Sequence, residues 1–451
     1  MKQKELDMLS GSIWDKLLMI AIPIAIGSIL QQLFNSVDVA VVGRFCGTEA
    51  LAAVGSNGSV INLIITLFVG LSVGSNAVIS KLLGKKDEKS VSDAVHTSIF
   101  VAIVSGFVLS IFGIIFARPI LELMSAPKEV IDLATKYMRI YFGGMPVIML
   151  YNFSSAILRS KGDTKRPLII MAIAGVINAI LNVILVYYFK MDVDGVAIAT
   201  VTANAISSFT LVWLLTKEEG ALKLDLRHLR INKTILKEMA KVGIPAGIQG
   251  MLFSISNVVI QSSMNTLGAQ TVAASAAAIN YEFISYFTIN AFSMAAVTFI
   301  AQNYGAGKLH RCREVVRLTL TMSSIITIVI STVLVGFGRK LLLVFTVDPN
   351  VIEIAMIRMK YIISFEIINV FMDGLSGCLR GFGYSAVPAA ICVFGVCVVR
   401  LIWIFTVFVK YPSFETLMAI FPISWGITTT FIIISYFIVI NRIRNKIVLS
   451  R

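Results

Sequence analysis

The chain is 451 residues long, 57% of them hydrophobic and only 14% charged, with a mean hydropathy of +0.86. A water-soluble fold carries roughly 25% charged residues, so this composition excludes one and requires a bilayer around much of the surface. The net charge of +14 invites a nucleic-acid partner, but the placement of that charge makes it a topology signal, and no nucleic-acid binding is expected.

Taken in chain order, apolar stretches recur that reach about 20 residues or more, the length a helix needs to cross a hydrocarbon core of about 30 Å. Six come first: Leu17–Val42, Leu51–Ser80, Val91–Ala117, Ile131–Leu158, Pro167–Phe189 and Gly195–Leu215. A polar connection from Lys217 to Lys241 follows, and then six more: Ile235–Ser263, Val272–Ala301, Val315–Gly336, Val351–Leu379, Ala386–Val409 and Thr416–Val439. The first stretch is too long for a signal-peptide core and no small-residue cleavage pattern follows it, so it reads as a helix. The chain is therefore expected to be an all-α integral membrane protein of twelve transmembrane helices: an amino-terminal six-helix lobe over 1–216, a cytoplasmic linker over 217–235 and a carboxy-terminal six-helix lobe over 236–451.

The basic residues alternate by connection. The amino-terminal segment (Lys2, Lys4, Lys16), the even-numbered connections and the tail through Arg451 hold 27 of the 39 lysines and arginines, whereas the odd connections hold only Arg44, Arg118, Lys128, Lys190, Arg339, Lys340 and Lys410. Positive charge stays on the cytoplasmic side, which predicts both termini in the cytoplasm and an even number of spans in the plasma (inner) membrane of a prokaryote. The five cysteines form no CxxC pair, so neither a disulfide framework nor a zinc site is indicated. His96, His228 and His310 fall in or near cytoplasmic connections and read as solvated surface residues.

Shifting the chain by almost half its own length superimposes it on itself, with a single-residue drift in register. Ile22-Pro23 falls on Ile244-Pro245, Asn35 on Asn257, Gly47 on Gly268 and Ser72 on Ser293. Further on, Val130-Ile131-Asp132-Leu133-Ala134 falls on Val351-Ile352-Glu353-Ile354-Ala355, Leu158-Arg159 on Leu379-Arg380, and Pro167 on Pro388. Each copy holds an even number of spans, so the copies are parallel repeats, an arrangement suited to two lobes rocking about a cavity. Pro23 and Pro245 are expected in the first turns of their helices, as are Pro167 and Pro388, where proline forces no kink. Gly70 and Gly74 make a small-xxx-small face for helix packing.

Polar residues inside the spans are costly and mark functional candidates. Asn35 and Asp38 lie one turn apart on the first span, with Asp38 about 9 Å below its outer end. Asn178 and Asn182 share a face of the fifth span, and Thr200 of the sixth lies at a similar depth, so one polar cluster in the first lobe is compatible with all five. A carboxylate among amide and hydroxyl oxygens can exchange a proton or help hold a hard cation such as sodium. A buried carboxylate that only fastens helices is the competing interpretation. The second lobe differs: its intramembrane charges are Glu282, Glu366, Asp373 and Arg400, candidates for a substrate cavity. Arg400 lies about 15 Å of helix from Lys410, and Glu282 or Glu366 is the expected partner for it.

These residues resemble the multidrug and toxic compound extrusion (MATE) family in its DinF-like branch. The resemblance rests on FNSVDVAVVGRFCGTEALAAVG from Phe34, on Leu158-Arg159-Ser160-Lys161-Gly162-Asp163-Thr164-Lys165-Arg166-Pro167, on its echo Leu-Arg-Gly-Phe-Gly from Leu379, and on Gly-Val-Ala-Ile-Ala-Thr from Gly195. It spans nearly the whole chain. It implies a V-shaped pair of bundles, alternating access and export of amphipathic organic cations in exchange for protons or sodium, with Asp38 as the coupling carboxylate and Asn178, Asn182 and Thr200 beside it. Asn182 departs from the pattern, since many relatives carry Asp there, and Phe253 stands near the place of a seventh-span Glu found in another branch. A lipid-linked-intermediate flippase of the same superfamily is the alternative, disfavoured by twelve spans and few intramembrane cations. No HExxH, GxSxG or His-carboxylate cluster is present, so no enzyme activity and no cofactor beyond the coupling ion is expected. The partners implied are small-molecule organic cations and the lipid bilayer, and a monomer is expected.

Overall fold

The computed structural model describes residues 6–124 and 129–449, and the topology residues Lys2, Lys4, Lys128 and Arg451 lie outside that range. The first repeat comprises α1 (Trp14–Phe45), α2 (Thr48–Lys85), α3 (Glu88–Leu123), α4 (Ile131–Gly143), α5 (Met145–Ser160), α6 (Lys165–Val183) and α7 (Val193–Lys217). The second comprises α8 (Lys233–Asn265), α9 (Ala269–Gly305), α10 (Leu309–Gly336), the short α11 (Gly338–Leu342), α12 (Pro349–Ile362), α13 (Glu366–Gly381), α14 (Ala386–Cys392), α15 (Val399–Trp403) and α16 (Phe414–Leu449). Among the described residues, eleven helices are long and apolar enough to cross a membrane, and the pair α4 and α5, bent by 47°, makes a twelfth span. The break falls at Gly144, one residue before a helix whose first turn holds Pro146; proline offers no N–H to the preceding turn, so a straight fourth span is not formed.

Lipid exposure is written on the helix faces. On α3, Phe107, Ile111 and Ile115 repeat every fourth residue and are each more than half exposed, while Ala102, Leu109 and Ala117 are fully or almost fully buried. In water such an apolar stripe would drive aggregation; in hydrocarbon it carries no penalty, and association then rests on close packing. Gly70 and Gly74 of α2 supply that packing. A Cβ on Gly70 would collide with the Gly247 backbone, and one on Gly74 with the Met239 carbonyl. The answering face on α8 is itself small, Gly243 and Gly247.

The chain divides into two compact units: the described residues of Met1–Leu9 with Ile26–Gly247, and Ser10–Ala25 with Ile248–Arg451. Each repeat's opening helix is thus shared out, its first half in one unit and the remainder in the other. In the second unit the segment ahead of α1 is fastened by Arg311, whose Nη1 and Nη2 donate to the carbonyls of Gly11 (2.9 Å) and Ser10 (3.3 Å). Pro23 and Pro245 stand inside α1 and α8, not in their first turns as expected from the sequence. The helices begin at Trp14 and Lys233, close to the starts of the apolar stretches at Leu17 and Ile235, and each proline already lies more than one turn inside its stretch. Each proline sits two or three residues before the point where its helix passes from one unit to the other.

The connection after α7 is folded. Leu222 and Leu224 are buried against Val91, Val95, Leu211 and Leu215. Glu218 accepts from Lys161 Nζ and Arg166 Nη2, each at 2.5 Å. Burial alone would raise the Glu218 carboxyl, but the hydrogen bonds and charges of these two cations outweigh it and hold it below the ordinary carboxylate range. His96 is 4% exposed, which corrects its assignment to the solvated surface. Its Nδ1 lies 2.7 Å from the Ser92 carbonyl and its Nε2 accepts the Asp225 N–H at 3.1 Å, so the ring clamps the connection onto α3 with its proton on Nδ1.

Candidate functional site

Four of the five residues expected to cluster in the first unit do so. Asp38, 7% exposed in the C-terminal half of α1, faces α6 and α7. Asn182 Nδ2 donates to Asp38 Oδ1 at 2.5 Å and Thr200 Oγ1 donates to Oδ2 at 3.1 Å. The Asn178 amide has two orientations. In one it donates to Thr200 Oγ1 at 3.3 Å; turned over, it donates to Asp38 Oδ1 at 2.9 Å and accepts the Thr200 N–H at 3.2 Å. A bond to an ionised oxygen is roughly twice as strong as a neutral one, so the second orientation belongs to the charged carboxylate. Asn35 is exposed one turn before Asp38 and takes no part in these bonds.

The approach of α1 to α6 is what places the amides within reach. A Cβ on Gly175 would run into the Phe34 ring, so a side chain there would push apart the two helices that carry Asp38 and Asn178. Beyond Asn182, α6 widens into the π-helical turn Ile184–Tyr188, a feature that recurs where helices carry function. All donors on the carboxylate are neutral, and among the described residues no cation pairs with it. The Asn182 carbonyl oxygen is buried beside it without a hydrogen-bond donor. An uncompensated carboxylate next to an orphaned amide oxygen is a set of hard oxygen ligands, able to take up a proton or coordinate a small cation. Among the described residues no three His, Cys, Asp or Glu side chains converge as a transition-metal site would need.

In the second unit the expected pairing of Arg400 is corrected. Glu282 is engaged by Arg358, which donates from Nε at 2.5 Å and Nη2 at 2.8 Å, while Arg358 Nη1 donates to Ser275 Oγ at 2.6 Å. Sequence reasoning misses Arg358 because it lies between Ile357 and Met359 inside an apolar stretch; the repeat register, which sets it opposite Tyr137, is the one available signal. Glu366 accepts from Asn369 at 2.9 Å, and Asp373, two turns along α13, accepts weakly from Asn290 at 3.5 Å. Arg400 is apart from both. Its Nε donates to Ser424 Oγ at 3.2 Å, its Nη1 to Asn257 Oδ1 at 3.3 Å, and its guanidinium lies 4.4 Å from the centre of the Phe421 ring. No two of the four candidates share a hydrogen bond or ion pair among the described residues, so they do not form one group.

The MatE family model matches residues 23–184 and again 245–406, two matches in the register of the internal echo. The chain belongs to the MATE family of transporters. Members of this family are transporters, not enzymes, and handle small-molecule substrates within the membrane. MatE thus matches in both repeats, and the first match includes Asp38, Asn178 and Asn182. The chain is 29% identical over 394 residues to the probable multidrug resistance protein YoeA of Bacillus subtilis, covering 85% of each protein. It is 28% identical over 354 residues to a FAD transporter of Shewanella oneidensis, covering 77% of each. A MATE transporter solved in an outward-facing conformation superposes with a TM-score of 0.91 at 22% identity, covering 99% of this chain and all of that one. This MATE protein is accordingly a multi-pass membrane transporter with the two-repeat MATE fold, and multidrug efflux is the activity that its relatives support.

Proposed function

We propose that the protein is an antiporter that exports amphipathic small molecules by alternating access, drawing on a proton or sodium gradient at Asp38. The observation that carries this reading is a carboxylate buried among neutral donors, with an orphaned amide oxygen beside it. A purely structural carboxylate would be expected to carry a cationic partner, as Glu282 does. With Asn at position 182, Asp38 is the single acid of this cluster, so one charge is exchanged there per cycle. The alternation of basic residues supports cytoplasmic termini in a prokaryotic plasma membrane, and the relatives of bacterial origin agree with that location.

Reconstitution into liposomes with pH and sodium gradients imposed separately tests the proposal. Ethidium should move against its gradient when one of the two ions flows in the opposite direction, and collapsing that ion's gradient should stop it. Uphill movement that persists with both gradients abolished would refute ion coupling.

A further inference from the structure

We propose that Arg400 is the seat for an oxyanion, a carboxylate or phosphate carried by the transported molecule. This names a substrate feature for the export reading above and rests on it for transport, though not for binding. Arg400 is 4% exposed, and a guanidinium stays charged in a protein. Its two hydrogen bonds, to Ser424 Oγ and Asn257 Oδ1, go to neutral oxygens at 3.2 and 3.3 Å. Beyond the two bonds that Nε and Nη1 form, its Nη2 makes no hydrogen bond among the described residues.

The acids of the same unit do not neutralise it. Glu282 gives both oxygens to Arg358, Glu366 is held by Asn369, and Asp373 is held by Asn290. Arg358 lies on the Phe421 ring as well, 5.9 Å from its centre, and adds charge of the same sign to the surroundings. An unpaired charge in such a setting is costly, and the Phe421 face offsets only part of that cost. Arg358 exemplifies an arginine used to fasten helices, with its fork closed on a carboxylate. Arg400 is instead oriented by an amide, a hydroxyl and a ring, with an unfilled donor left over. An arriving carboxylate or phosphate would complete the charge-assisted hydrogen bonding. Ten residues, or about 15 Å of helix, separate Arg400 from Lys410, and the oxyanion proposed here is that of a solute.

The test is equilibrium binding to the purified full chain in detergent, using probe pairs that differ only in the oxyanion: riboflavin against its 5′-phosphate, and norfloxacin against its ethyl ester, with ethidium as a cation control. The wild type should bind the oxyanion member of a pair more tightly. R400Q should weaken that member about tenfold, the worth of one charge-assisted hydrogen bond, and leave the ester, riboflavin and ethidium within about twofold. R400K should retain more of the preference than R400Q. Equal weakening of both members, or no preference in the wild type, would overturn the proposal. Should R400Q fail to fold, the wild-type pairs and R400K decide the matter by the same criterion. Gradient-driven ethidium transport without oxyanion preference sinks this seat alone, whereas oxyanion preference without gradient-driven transport sinks the export reading and leaves the seat standing.

Discussion

The two repeats place opposite charges in corresponding settings. In the first, Asp38 is surrounded by Asn178, Asn182 and Thr200. In the second, Arg400 is surrounded by Asn257 and Ser424. The repeat register carries Asn35 onto Asn257 and Asn178 onto Val399, the residue before Arg400, so the two charges do not stand at equivalent positions of the repeat. Both fifth spans also carry π-helical turns, Ile184–Tyr188 in the first and Val393–Val398 with Ile404–Phe408 in the second. Neither charge has an ionic partner among the described residues, whereas Glu282 and Arg358 close on each other. A neutral cradle orients a charge without cancelling it, leaving it available to something mobile; an ion pair consumes the charge in structure.

The comparison breaks first at Asp38. Asp38→Asn retains the shape and the amide contacts but cannot carry a proton or a negative charge, and gradient-driven ethidium efflux should fall to the level of empty vesicles. Efflux at the wild-type rate would make Asp38 a packing residue. The contrast with the closed pair gives the next largest effect. Glu282→Gln strands Arg358 as an uncompensated buried cation and should cost about 3–5 kcal/mol of stability. The double replacement E282L/R358M should regain most of that loss, as measured by thermal unfolding in detergent. A double variant no more stable than the single one would show that the pair is needed for more than mutual neutralisation. Gly175→Ala, which drives a methyl group into the Phe34 ring, should cost about 1–3 kcal/mol and reduce ion-driven transport, and F34L in the same chain should restore it; absence of rescue would place the defect elsewhere.

The smallest effect belongs to the anchored connection. Because the Glu218 carboxyl is held below its ordinary value by Lys161 and Arg166, its contribution is fully present above the unfolded carboxylate pKa of about 4.3. It is lost as pH falls from there through the folded value. Glu218→Gln should therefore cost about 1–2 kcal/mol at neutral pH, and the gap to wild type should shrink progressively as pH falls below about 4. A gap that does not depend on pH would mean that Glu218 acts by packing alone.

Composition, hydropathy and the internal echo determined the membrane fold, the number of spans and the duplication, because each is a property of long runs in which single errors average out. The first-unit cluster was legible as well, since Asp38, Asn178, Asn182 and Thr200 are rare polar residues at one depth, and helix rise converts sequence position into depth. Asn35 shows the limit: it shares the face and depth yet takes no hydrogen bond in the cluster. Depth does not give the direction in which a neighbouring helix lies, and that is why Glu282 met Arg358 and not Arg400. Only the tertiary structure decided which charges neutralise one another, that His96 clamps a folded connection, and that α1 and α8 are each divided between two compact units. Such pairings depend on side-chain contacts of a few ångströms between helices far apart in the chain, and no local pattern encodes them.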